Sequence, residues 1–263
     1  RRHSFPTRRS SDLDVLDKLI MFRAAGTPLK DMVVELDKMF RDDPQAFAKF
    51  QALNGKVAGY DLASIRREVM DGVRDDHDGN ILWRSLDYAV YLSPMLERGK
   101  PLDTGLRMQM YMGMFGNDME GITKAVMAGG PDLWKQLKEK PDLLSTWNPL
   151  YKLNDEQAGY IQKLAELQAS LPPDKQGTIP PEFKIRLAIL VGKGDQIKQE
   201  TEAIPPQDRN AVIASYNKTF GRVLTDDLIK GRTSEGQAAA INFSGPQTME
   251  QASDATRSLV YGN

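Results

Sequence analysis

The chain has 263 residues, 40% hydrophobic and 27% charged, and no cysteine, which excludes disulfides and thiolate metal sites. Lysine and arginine number 35 against 36 aspartates and glutamates, so no basic excess points to nucleic acid. No apolar run approaches the roughly 18 residues of a membrane-spanning helix, and the length suffices for one large domain or two smaller ones.

Residues 1–13, RRHSFPTRRSSDL, carry four arginines and no hydrophobic periodicity. They resemble the translated sequencing-adapter tails found on open reading frames from metagenome assemblies, and we read them as a non-native, disordered tail. The alternative is a genuine basic arm for nucleic acid or an anionic surface. Without them 31 basic residues face 35 acidic ones, a net charge of −4, and His77 is the only histidine. Histidine-based nucleophilic triads and multi-histidine metal sites are then not expected. No carboxylate pair stands out in an apolar setting as an acid/base couple, so no enzyme is expected. The chain is expected to be a fragment whose native N-terminus is missing.

A first helical unit is predicted over 14–93. Leu16, Leu19, Ile20 and Phe22 open a helix that breaks at Gly26, with Pro28 in the first turn of the next. There Met32, Val33, Leu36, Met39 and Phe40 recur at helical spacing and form one apolar face. Asp43 and Pro44 read as N-cap and N1 of a helix with Phe47, Phe50 and Leu53 inward. Leu62, Ile65 and Val69 predict a fourth helix, and Leu82, Leu86, Ala89 and Val90 a fifth. Between them, Asp76-His-Asp-Gly-Asn80 fails as an EF-hand. With Gly79 at loop position six, Arg74 and Ser85 would fall at the first and last ligand positions.

Pro94, Gly99 and Pro101 mark a boundary to a second unit, predicted over 102–171. It opens on LRMQMYMGMFGNDMEGITKAV, residues 106–126: an apolar helix, a Gly/Asn/Asp break and a second helix. The methionines from Met108 to Met127 follow helical spacing, which favours core packing over a promiscuous groove. The second helix is expected to stop at Gly129-Gly130-Pro131. Leu133, Trp134, Leu137, Leu143, Leu144, Trp147 and Leu150 supply more core, Trp83 likewise in the first unit, and Ile161, Leu164 and Leu167 a last helix. Residues 172–181, PPDKQGTIPP, read as a linker.

The third unit, 182–245, repeats the opening pattern as FKIRLAILVGKGDQIKQETEAI, residues 183–204. Its Gly192-Lys-Gly194 lacks the Lys-Ser/Thr ending of a P-loop and follows a helix rather than a strand. Val212, Ile213, Tyr216 and Phe220 predict a helix closed by Gly221; Leu224 and Leu228 a further one; and Ala238 to Ile241 a short last one. Residues 246–263 read as the start of a truncated fourth unit. The glycines Gly26, Gly116, Gly194 and Gly262 are 90, 78 and 68 residues apart, so the repeat is divergent. No alternating β pattern of useful length occurs, and the fold class is all-α, an array of helical repeats.

The stretch Arg209-Asn-Ala-Val-Ile-Ala-Ser-Tyr-Asn-Lys-Thr-Phe-Gly-Arg-Val-Leu-Thr-Asp-Asp-Leu228 resembles the third and fourth helices of an annexin repeat. Leu190-Val-Gly-Lys-Gly-Asp195 is similar to the annexin Met-Lys-Gly-Leu-Gly-Thr-Asp loop without its Thr, and Met112-Gly-Met-Phe-Gly-Asn-Asp118 resembles the same loop. The resemblance implies roughly five-helix repeats that bind calcium and, through it, an acidic phospholipid surface. Loop carbonyls would supply ligands and a later carboxylate would complete the shell, which suits a hard cation taking about six to eight oxygens. Carried over, Met112, Met114 and Gly116 are the carbonyl donors of the second unit, with Asp155 or Glu156 as the carboxylate. Leu190, Gly192 and Gly194 are the donors of the third.

Three departures stand out. Gly231 occupies the third unit's carboxylate position, leaving Glu235 as a displaced substitute. Met114 replaces a loop glycine, and Pro28 replaces the loop aspartate of the first unit. The alternative is that these glycines only terminate helices. The chain is then expected to be soluble and peripheral at a membrane. The contrasting expectation is a calcium-independent structural or protein-interaction module of a larger bacterial or phage protein.

Overall fold

The computed structural model describes residues 18, 25, 29–53, 67, 88–113, 117–145 and 152–244, the side chains of 50, 51 and 53 excepted. Every regular element among them is helical, which makes the fold all-α. The chain divides into two compact units, residues 1–116 with 146–151 and residues 117–145 with 152–263.

In the first unit, α1 (Leu29–Asp42) buries Leu29, Val33, Leu36 and Phe40, the face its three- and four-residue spacing predicts. Asp43 then accepts the Gln45 N–H through its side chain at 2.9 Å, and α2 (Ala46–Leu53) begins just beyond. Phe40 and Phe47 meet edge to face at 6.2 Å across the two helices. The predicted elements at 14–24 and 62–86, with Pro28, Trp83 and the Asp76–Asn80 segment, lie outside the described residues, apart from single positions.

The expected boundary at Pro94 is not a break. Tyr88–Leu92 form a π-helical turn that runs directly into α3 (Ser93–Arg98), with Pro94 inside the first turn of α3. Proline lacks an N–H and crowds the carbonyl four residues earlier, and a wider turn accommodates both defects without ending the helix. Ala89, expected to face inward, is exposed; Tyr88, Tyr91 and Leu92 are buried instead. The helix does end at Gly99, and α4 (Thr104–Gly113) follows with Met108, Met110 and Met112 buried. The inward methionines are therefore packing residues.

Asp37 ties this unit together from inside α1. It accepts the Leu102 N–H at 2.8 Å and the Arg107 Nε–H at 2.8 Å, and it pairs with Arg41 at 3.1 Å.

The second unit starts with α5 (Met119–Glu139), capped by Asp118, whose side chain accepts the Glu120 and Gly121 N–H groups. The first helical segment stops at Gly129-Gly130-Pro131, as the sequence predicts: Gly130 is non-helical (φ 48, ψ −140), and α5 joins two helical segments across this kink, the second burying Leu133 and Leu137. That backbone region is open essentially to glycine alone. Beyond it, the Lys138 ammonium lies 5.2 Å from the ring centroid of the half-buried Trp134.

α5 packs against α6 (Asp155–Ser170), which a reciprocal capping box between Asn154 and Gln157 opens. Residues 172–181 lie inside this unit. Gln168, fully buried, accepts the Gly177 N–H and donates to the Thr178 carbonyl, both at 2.8 Å, which holds the proline-rich turn against α6.

The remaining helices are α7 (Pro181–Val191), α8 (Gly194–Glu202), α9 (Arg209–Phe220), α10 (Leu224–Lys230) and α11 (Ser234–Phe243). Their inward faces join Ile185, Ile197, Tyr216, Leu224, Leu228 and Phe243 in one core. Each such side chain contributes about 1.5–3 kcal/mol on burial. α9 closes at Gly221 as its sequence predicts.

Candidate functional site

The loop predicted in the third unit is the two-residue connection between α7 and α8. Gly192 caps α7 in the left-handed region (φ 72), its N–H donating to the Ala188 and Ile189 carbonyls. Lys193 precedes α8 and its carbonyl accepts the Ile197 N–H at 3.1 Å. Gly194 is the first helical residue. A β-carbon there would lie 2.9 Å from Glu235 Cδ and still closer to one carboxylate oxygen, so the Glu235 carboxylate packs directly on the loop.

Glu235 is held there by the start of α11. Thr233 caps that helix, its hydroxyl accepting the Gly236 N–H at 3.0 Å, and Gly236 in turn rests against the Leu228 carbonyl. Glu235 is half-buried, and its carboxylate has no hydrogen-bond or ion-pair partner among the described residues. Lys193 points elsewhere: its ammonium donates to Glu120 on α5 at 2.8 Å, and Gln196 donates to the same oxygen at 2.9 Å. Those bonds, Lys193 first, hold the Glu120 carboxyl below the usual carboxylate range.

The donors at this loop are all oxygen, which suits calcium. Leu190 and Gly192 flank a helix C-terminus, where carbonyls lack an N–H partner of their own. Gly194 fits less well, because the carbonyl of a first helical residue points into the ladder of its own helix.

The residues proposed for the second unit's loop are distributed differently. Met112 is buried in the last turn of α4, and Met114 and Gly116 lie outside the described residues. Asp155 and Glu156 form the first turn of α6. Asp155 is exposed, whereas both Glu156 oxygens already face guanidinium groups, Arg186 Nη2 at 2.9 Å and Arg222 Nη1 at 2.8 Å.

Those arginines belong to a cluster that the sequence reading missed. Asp227 accepts from Arg186 Nη1 at 2.9 Å, from the Tyr216 hydroxyl at 2.9 Å and from Arg222 Nε at 2.8 Å. Burial pushes the Asp227 carboxyl up, but the hydrogen bonds from Arg222 and Tyr216 and the nearby guanidinium charges outweigh it and hold the group below its ordinary range. Burial raises the Tyr216 phenol, and it raises Tyr160 to about 12 against a weaker opposing effect of the Thr123 hydroxyl.

A cleft of about 240 Å³ opens beside the cluster, lined by Gly159, Tyr160, Lys163, Phe220 and Arg222. The two arginines are balanced by Glu156 and Asp227, so the cluster acts as an internal brace between α6, α7, α9 and α10. Its one visible signal was Arg186, the single charge in the otherwise apolar run 185–191.

Among the described residues, no three His, Cys, Asp or Glu side chains gather to hold a metal, and no helix is long and apolar enough to cross a membrane. No protein-family model, curated protein or solved structure matches the chain.

Proposed function

We propose that this is an annexin-like helical-repeat protein that binds acidic phospholipid surfaces through calcium, with the α7–α8 loop as its calcium site. The observation that carries the reading is the position of Glu235. A carboxylate with no partner among the described residues lies against a two-residue, glycine-bearing interhelical loop, although the residue comes from a helix that begins 40 residues after that loop. In this reading the Leu190 and Gly192 carbonyls and the Glu235 carboxylate hold the ion, and lipid phosphate completes its shell.

Co-sedimentation with phosphatidylserine vesicles tests this. Binding is expected at millimolar calcium and not to the same extent in EGTA, and Glu235→Gln should remove the calcium-dependent part. Equal binding with calcium and with EGTA sinks the proposal.

A second reading, a calcium-independent structural or protein-interaction module, is favoured by Glu156, whose oxygens already hold two arginines. Glu235 would then serve as the negative charge at the N-terminus of α8, a contribution of roughly 0.3–1 kcal/mol. Calcium that binds only the folded chain raises its melting temperature. No shift at millimolar calcium selects this second reading.

A further inference from the structure

The turn between α10 and α11 places glycine and arginine in the reverse of the order its backbone favours. Gly231 has φ −62 and ψ −11, a conformation any residue adopts, whereas Arg232 has φ 52, in the left-handed region that favours glycine. Moving the glycine one position would relieve that cost, so the arginine side chain is retained at a conformational expense. Arg232 and Lys230 are both exposed, and neither pairs with a carboxylate or any other partner among the described residues. Between them stands Gly231, at the position where the resemblance would put an acidic ligand. Ile229 next to them is one of two large apolar side chains left exposed among the described residues, at 42%.

An apolar side chain beside two unpaired cations, on a turn between helices, is the combination that anionic bilayers select. The charges meet headgroup phosphates and the aliphatic side chain enters the interface. The bland account of Lys230, a base in the last turn of a helix favoured by its dipole, explains neither Arg232's backbone nor Ile229's exposure. We propose that the α10–α11 turn is a direct, calcium-independent contact for an anionic phospholipid surface, with Lys230 and Arg232 taking lipid phosphates and Ile229 inserting beside them. The inference rests on the membrane assignment above, not on the calcium loop.

The test is co-sedimentation of the full chain with vesicles of phosphatidylserine and phosphatidylcholine, in EGTA at low ionic strength. The wild type is expected to bind, and to be released by added salt. Lys230→Gln with Arg232→Gly should weaken binding roughly tenfold or more, since each basic residue near an anionic surface contributes on the order of a fivefold factor. Ile229→Ala should weaken it less.

Arg232→Gly places glycine where the backbone favours it, so its melting temperature should be no lower than the wild type's. A thermal melt separates lost contact from lost fold. Three results overturn the proposal: no wild-type binding in EGTA, equal binding to pure phosphatidylcholine, or unchanged binding by the double variant. Displacement from vesicles by a polyglutamate peptide at equal charge concentration would also overturn it, in favour of an acidic protein partner. Calcium-dependent binding that is lost in Glu235→Gln but indifferent to Lys230 and Arg232 would overturn this inference while leaving the calcium reading in place. The opposite pattern would do the reverse.

Discussion

With 2% of its surface exposed, Asp227 accepts from three donors on three segments, and Arg186, equally buried, depends on it for charge balance. Removing one partner of a buried pair costs more than the pair contributes, because the remaining charge is left uncompensated. Asp227→Asn is therefore expected to lower stability by about 3 kcal/mol, read as a drop in the urea midpoint. Glu156→Gln, with 48% of its side chain exposed, should cost less than about 1 kcal/mol. The Asp227 carboxyl is held below its ordinary 3.8 in the folded chain. Its stabilisation is thus fully present above the unfolded value of about 3.9 and is lost as pH falls through the folded value. Thermal melts below about pH 4 should decline more steeply in the wild type than in Asp227→Asn, and parallel slopes would refute that assignment. Of this, only the placement of Arg186 among apolar residues was legible in the sequence. Arg186 meets Asp227 across 41 positions, and periodicity marks only which face of a helix is inward, not that a charge on it has a partner.

The helices themselves were more readable, because their signals are local. The apolar face of α1, the α7–α8 break and the end of α9 at Gly221 all follow from spacing and from a terminating glycine. One element misled: Pro94 is a helix breaker that the π turn before it accommodates. Gly130 breaks the helix as the sequence predicts, and its conformation leaves no room for an L side chain's preferences. A β-carbon at that position would meet only Gln176 Oε1, at 3.5 Å, so the obstacle is the backbone rather than space. Gly130→Ala should accordingly cost about 1–3 kcal/mol, measured by chemical denaturation, with no compensating gain from a cavity-filling variant of Gln176. The 172–181 segment reads as a linker because prolines and polar residues dominate it. Gln168 anchors it, and a single buried amide leaves no periodic trace. Gln168→Leu should strand the Gly177 N–H and the Thr178 carbonyl, at a cost of about 1–3 kcal/mol, and expose 172–181 to limited proteolysis.

At the scale of the molecule, each compact unit carries its own core and its own buried aspartate, Asp37 in the first and Asp227 in the second. That duplication implies two cooperative blocks rather than one. Hydrogen exchange followed by mass spectrometry should find that Asp227→Asn loosens 152–244 while sparing 29–53, and that Asp37→Asn does the reverse. Uniform loosening in both variants would mean a single block. The candidate loop was legible as a pair of glycines in a break, yet the arrival of Glu235 depends on how α11 seats, which only the assembled unit reveals. The membrane reading also belongs at this scale, since it asks one face to combine an oxygen-lined loop with a basic turn.

The π turn at Tyr88–Leu92 bears on how this chain has changed over time. Such a turn is an α-helix carrying one surplus residue, so it has the form of a single-codon insertion absorbed without breaking the helix. Deleting the exposed Ala89 would remove the surplus and return the stretch to α-helical spacing, because the extra residue is taken up within the turn itself. The register of α3 then stays as it is, and Met95 and Leu96 keep the core positions they now fill. Such a change is reversible in one step, since nothing downstream had to repack to accommodate it.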